Sequence, residues 1–107
     1  DIGTSLTTIY GVPAGASSAA LESIVIGITM ANKTTSGVTA SIFIDNEDGS
    51  NDVYIVKDAS IPAGSSLEVM SGNKLVLMND GTNADNLEAT CSATSSLDVT
   101  VSVLEDV

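Results

Sequence analysis

Two stretches of the chain crowd oxygen-bearing side chains closely enough to hold a hard cation. Asp45, Glu47, Asp48 and Asp52 fall in one segment (45–52), and Asp80, Asn83 and Asp85 in another (79–86). Calcium needs several oxygens from one short segment, so this spacing suits it. The first segment departs from the EF-hand loop, which has glycine at its sixth position; counted from Asp45 that position is Ser50. Asx-rich turns between strands explain both runs without a metal, and that is the expected reading. Catalysis has less to work with. There is no histidine, which excludes Ser–His and Cys–His nucleophiles within one chain. The acids leave a paired-carboxylate hydrolase formally open, but they lie mostly in loops or on the polar phase of strands. Phe43, Tyr10 and Tyr54 are the only Phe and Tyr, and Trp is absent, so the aromatic platforms of sugar sites are missing. Phosphate-binding and dinucleotide fingerprints are also absent. The expectation is a non-enzymatic protein with no cofactor.

Charge narrows the partners. Fourteen acids against three lysines give a net charge of -11. Nucleic acid is bound through Lys and Arg, so it is not an expected partner, and neither is an anionic membrane surface. The charge is uneven: residues 1–44 carry a net -1 and residues 45–107 a net -10. A solvated acidic face explains this, with a dock for a basic partner or for divalent cations as the alternative. No stretch approaches the roughly 18 apolar residues of a membrane span; the longest, Ile24–Ala31, is short and interrupted. Cys91 is the sole cysteine, so no internal disulfide forms, and a buried inert thiol is expected. Asn32-Lys33-Thr34 fits a glycosylation sequon and is read as incidental. No signal peptide is recognised, and a start at Asp1 implies N-terminal processing or trimming.

The elements that must position these residues follow a period of two. In SLDVTVSVLE, Leu97, Val99, Val101 and Val103 alternate with polar residues, as in a half-buried strand. GVTASIFID places Val38, Ala40, Ile42 and Ile44 inward, and ESIVIGITMAN places Ile24, Ile26, Ile28 and Met30 on one face. NDVYIVKD and NKLVLMND read as shorter strands, with SSLEVMS, NLEATCSA and TSLTTIYGV completing the set. Turn signals separate them at 46–52, 71–74, 79–86 and 93–96. GASSAALES could make one helical turn or lead into the next strand. The expectation is one domain, 1–107: an antiparallel β-sandwich of about eight short strands, jelly-roll or Ig-like Greek key. Its core must be built from Ile, Val, Leu and Ala, because aromatics are only 3% of the chain.

Val12-Pro13-Ala14-Gly15 and Ile61-Pro62-Ala63-Gly64 repeat the same punctuation 49 positions apart. Proline cannot donate to a ladder, so each reads as a corner closing one strand and launching the next. Val12 and Ile61 would anchor the corners in the core. Related halves are one reading, a common turn used twice the other. Large apolar residues also stand on the phase opposite the core. Phe43 opposes Ile42 and Ile44; Tyr54 and Val56 oppose Val53 and Ile55; Val76 and Met78 oppose Leu75 and Leu77; Met70 is out of phase with Leu67 and Val69. Either loops cover them, or Phe43, Tyr54, Val56, Met70, Val76 and Met78 are protein-contact residues.

Several blocks taken together resemble a family of small bacteriophage virion proteins, seen especially in phages of marine bacteria. TTIYGVPAG is similar to that family's Thr-x-(Ile/Val)-Tyr-x-Val-Pro-Ala-Gly opening, and VYIVKDASIPAGSSLEV to its central block. NKLVLMNDG resembles its Lys-(Ile/Leu)-Val-Leu-x-x-Gly-Asp segment, with Asn-Asp-Gly in place of Gly-Asp, and SLDVTVSVLED its closing strand. The resemblance implies a β-sandwich on the outside of a virion. It would be a capsid decoration or cement subunit on the outer surface of the head, stabilising coat-protein contacts. The alternative is a tail or fibre component adhering to the host surface. The implied partners are the major capsid protein or other virion proteins, and further copies of the chain, a trimer among the forms. Two departures, ASSAALES after the first Pro-Ala-Gly and the long loop from Asn79 to Asn86, fall in loops and bear on the contact surface rather than the fold.

Overall fold

Eight strands follow one another along the chain: β1 (Thr7–Gly11), β2 (Leu21–Asn32), β3 (Val38–Asp45), β4 (Asp52–Ile61), β5 (Ser66–Glu68), β6 (Leu75–Asn79), β7 (Asn86–Cys91) and β8 (Leu97–Glu105). The computed structural model describes residues 2–15, 20–45, 52–70 and 74–105. Every strand pairing is antiparallel, and there is no helix among the described residues. One sheet has the order β1-β7-β3-β4. In the other, β2 is central: β8 runs along one of its edges, while β6 and β5 share the opposite edge, beside its first and last residues respectively. The two sheets pack as a β-sandwich, 19 Å along the shortest axis, in keeping with layers about 10 Å apart. Residues 46–51 of the expected turn at 46–52, residues 71–73 of that at 71–74, and the segment 16–19 of the candidate helical turn lie outside the described residues.

The core is aliphatic, as the composition requires. Val25, Ile28, Met30, Leu77 and Leu97 from one sheet meet Val38, Ala40, Ile42, Ile61, Leu87 and Ala89 from the other. The alternation in β8 holds, with Val99, Val101 and Val103 packed against this core. In β2 it does not. Val25 pairs with Val103 and Gly27 with Ser102, so Ile26 is an extra residue, a β-bulge. The bulge moves the inward phase from odd to even: Ser23 and Val25 point in before it, Ile28, Met30 and Asn32 after it. Ile24 and Ile26 therefore leave the face that the period-two pattern assigned to them; Ile24 is half-buried and Ile26 exposed. β4 carries two further register shifts against β3. At one of them Asp58 adopts φ 51°, and Ser41 Oγ accepts its backbone N–H at 2.9 Å.

The two Pro-Ala-Gly corners are built alike. Each carries the chain from the β1-β7-β3-β4 sheet to the other, from β1 into β2 and from β4 into β5. Val12 and Ile61 are both core residues. Their carbonyls are held by buried asparagines at the strand ends: Asn79 Nδ2 donates to Val12 O at 2.8 Å, and Asn32 Nδ2 to Ile61 O at 3.0 Å. Both asparagines accept, through Oδ1, the backbone N–H two residues on, from Gly81 and Thr34. The second corner closes as a turn in which Ser65 N–H donates to Pro62 O, with Gly64 at φ 68°. An alanine there would be strained.

The arrangement is reciprocal: the asparagine that ends β2 holds the corner after β4, and the asparagine that ends β6 holds the corner after β1. Exchanging β1 with β4, β3 with β7 and β2 with β6 leaves their pairings unchanged. At the same 49-residue offset, buried Val38 and Ala40 fall on buried Leu87 and Ala89. The halves are related by an approximate two-fold exchange, to which β5 and β8 are additions. Asn32, head of the glycosylation sequon, is spent on this corner and buried.

Candidate functional site

The six contact residues read from the sequence do not form one surface. Tyr54 and Val56 lie on β4, at the edge of one sheet, and Val76 and Met78 on β6, at the edge of the other. Phe43 is only 6% exposed, so it is not a free contact residue. It sits on the outer phase of β3, between Tyr54 and Glu88 in the register of the neighbouring strands. The Tyr54 ring packs against it, 5.3 Å between centroids and tilted by 49°. Lys57 Nζ stands 5.3 Å from the centre of the Tyr54 ring, a cation–π contact. Thr8 Oγ1 donates to the buried Glu88 carboxylate at 3.2 Å. Val56 is half-buried. Met70 is buried in the core, because β5 ends at Glu68 and the alternation argument has no hold beyond it.

Val76 and Met78 are exposed, and the register shows what accompanies them. Ile24 pairs with Val76 on one side and with Leu104 on the other, so three apolar residues stand in a row across β6, β2 and β8. Val76 is 52% and Leu104 53% exposed. Met78, opposite Glu22, extends the row at one end of the sheet, and the bulged Ile26 flanks it. The other end of the same outer face is polar: Thr29 lies between Glu68 and Thr100 and donates to Glu68 at 2.7 Å, and Ala31 lies between Ser66 and Asp98. That hydroxyl bond, first among its causes, holds the Glu68 carboxyl below its ordinary range. Ile24, Ile26 and Leu104 were missed from the sequence. Leu104 shares the outward phase of Asp98, Thr100 and Ser102 and was legible; the isoleucines were hidden by the bulge.

The 79–86 segment uses its acids for its own backbone. Asp80 Oδ1 accepts from Asn83 and Thr82 N–H, each at 2.8 Å, and Asp85 Oδ2 from Met78 N–H at 3.1 Å. The Asn83 bond, then that from Thr82, lowers the Asp80 pKa. Glu47 and Asp48, from the other candidate cation loop, lie outside the described residues. Among the described residues no three His, Cys, Asp or Glu side chains are grouped to hold a metal ion.

No family model, curated protein or solved structure matches this chain.

One polar cluster joins the two sheets. The Tyr10 hydroxyl on β1 donates to Glu105 Oε2 on β8 at 2.6 Å and lies 2.8 Å from Ser23 Oγ on β2. Burial, and then the hydrogen bond to Glu105, raise the Tyr10 pKa above its ordinary value. The folded state thus favours the neutral phenol, and this contribution is full below the unfolded pKa and lost as pH rises through the folded one. Tyr10→Phe should cost about 1 kcal/mol, read from urea melts at neutral pH. In a Tyr54→Phe background, the phenolate absorbance of Tyr10 should emerge above about pH 10. Equal alkaline sensitivity of wild type and Tyr10→Phe would remove the hydroxyl from this role. Cys91 is buried; its thiol donates to Ala93 O at 2.9 Å and contacts Ile2 O at 3.4 Å, at the end of the sandwich closed by the Ile2–Leu97 bridge.

Proposed function

We propose that the chain is a non-enzymatic structural subunit of a bacteriophage virion, a capsid decoration or cement protein bound to the outer surface of the head. The observation that carries the reading is the apolar row Leu104–Ile24–Val76 on the outer face of the β8-β2-β6 sheet, its two end residues half exposed, with exposed Met78 and Ile26 beside it. Contiguous apolar surface on a soluble domain marks a place of association. The block-by-block resemblance to small virion proteins supplies the setting, and the acidity suits an outward position better than contact with packaged DNA. A decoration subunit binds assembled coat protein and not free coat protein, so it stabilises the shell by mass action.

The test is the copy number per purified particle, measured by quantitative mass spectrometry against the major coat protein. Copies in proportion to the coat protein are expected. A handful per particle would replace this reading with a tail-borne adhesion module, and absence from the particle would remove the virion altogether.

A further inference from the structure

We propose that the apolar row on the outer face of the β8-β2-β6 sheet docks a cationic protein surface, apolar at its centre and bearing lysine or arginine at its rim. The inference rests on reading this face as a contact surface and adds the chemistry of the occupant. The row does not stand in neutral surroundings. Glu22 is the register partner of Met78, and Asp80 and Asp85 follow β6 directly, with Asp85 Oδ2 bonded to the Met78 N–H. Lys74, immediately before β6, is the one cation between residues 74 and 86. The Met78 end of the row is thus rimmed by carboxylates, on a chain whose net charge is -11.

A second copy fits this face poorly. It brings no basic rim, carrying the same Glu22, Asp80 and Asp85 and the same net charge of -11, and like charges brought together oppose association. A partner with an apolar centre and a basic rim covers Ile24, Val76 and Leu104 while its cations meet the acids. Such a contact is steered by charge and weakened by salt, but it is held by the apolar centre, which salt does not screen.

The probe is a synthetic peptide alternating lysine and valine, titrated into the isotopically labelled chain and followed by amide chemical shifts. Lysine–serine and glutamate–valine peptides of the same length are the comparators. Shifts are expected in Glu22–Ile26, Leu75–Asn79 and Ser102–Glu105, with the lysine–valine peptide binding about tenfold tighter than either comparator. The double variant Val76→Ser, Leu104→Ser should lose about tenfold in affinity and keep the melting temperature of the parent within a few degrees, since both side chains are half exposed. Equal binding of the lysine–serine peptide would overturn the proposal, because charge alone would then suffice. Equal binding of the glutamate–valine peptide, or shifts confined to other segments, would overturn it too. So would a dimer, detected by sedimentation, that the double variant dissolves, since the occupant would then be a second copy. If the peptides fail while copy number still tracks the coat protein, the virion reading stands and the cationic partner falls.

Discussion

Ile28→Ala should destabilise the protein by about 3–4 kcal/mol, while Ile26→Ala, two positions earlier, should change stability by no more than about 0.5 kcal/mol. Strict alternation along β2 gives both residues the same fate, so the pair tests the bulge directly. Ile28 is fully buried between the sheets. Truncation removes three carbons from a close-packed aliphatic core that has few aromatic side chains able to reorient and fill the void. Ile28 is also where the edge strand is fixed, since Val69 N–H donates to its carbonyl at 2.8 Å, and that backbone bond does not relax toward the cavity. Ile26 is 50% exposed on the bulge. For a domain of this size each kcal/mol lowers the midpoint by roughly 4–8 °C, so the two variants separate clearly in a thermal scan. Equal losses at both positions would mean that β2 runs without the bulge, with Ile26 in the core.

The same bulge explains where the sequence could and could not be read. Strand number, antiparallel layering and the core positions of β3 and β8 follow from alternation and from where Asn, Asp, Gly and Ser cluster, because those signals are local. The bulge leaves no local mark: Val25-Ile26-Gly27 alternates as well in one phase as in the other, and the choice is made by pairing with β8, more than 70 positions away. The outer face inherits the error. Val76 and Met78 are legible as outward residues because β6 is regular, Ile24 is not because β2 is bulged, and Phe43 misleads because a residue on the outer phase of a central strand can be covered by its neighbours. Tyr54 supplies that cover from the adjacent strand, a cross-strand contact that no property of Phe43 announces. The paired corners show the reverse case. Pro-Ala-Gly was visible twice, but the asparagines that hold each corner come from the other half of the chain, so their role needed the fold.

Asn32→Ala should be about as costly as the core truncation, at roughly 3 kcal/mol, although it removes only a polar amide. The Asn32 side chain makes four bonds while almost wholly buried. Nδ2 donates to Ser36 O at 2.8 Å and to Ile61 O at 3.0 Å; Oδ1 accepts from Thr34 N at 2.9 Å and from Thr34 Oγ1 at 2.7 Å. Alanine takes the Nδ2 donor away from the Ile61 and Ser36 carbonyls and the Oδ1 acceptor away from Thr34, at a site closed to water. Asn32→Asp separates the two halves of the amide. The Thr34 bonds survive, but a carboxylate oxygen now faces the Ser36 and Ile61 carbonyls where a donor stood. Burial and those carbonyls disfavour its charged form, so the folded-state pKa of the new carboxyl rises above its unfolded value of about 4. For a raised carboxyl, stability is fully present below the unfolded pKa and is lost as pH climbs through the folded one. Asn32→Asp should therefore be destabilised at pH 7 and recover, relative to Asn32→Ala, as the pH falls toward about 4, where a protonated oxygen can again donate to Ile61 O. Denaturant melts of the two variants across that range decide the matter. A constant gap between them would show that the donated bond to the corner carries no stability, and the reciprocal asparagine at Asn79 would lose its assigned role on the same ground.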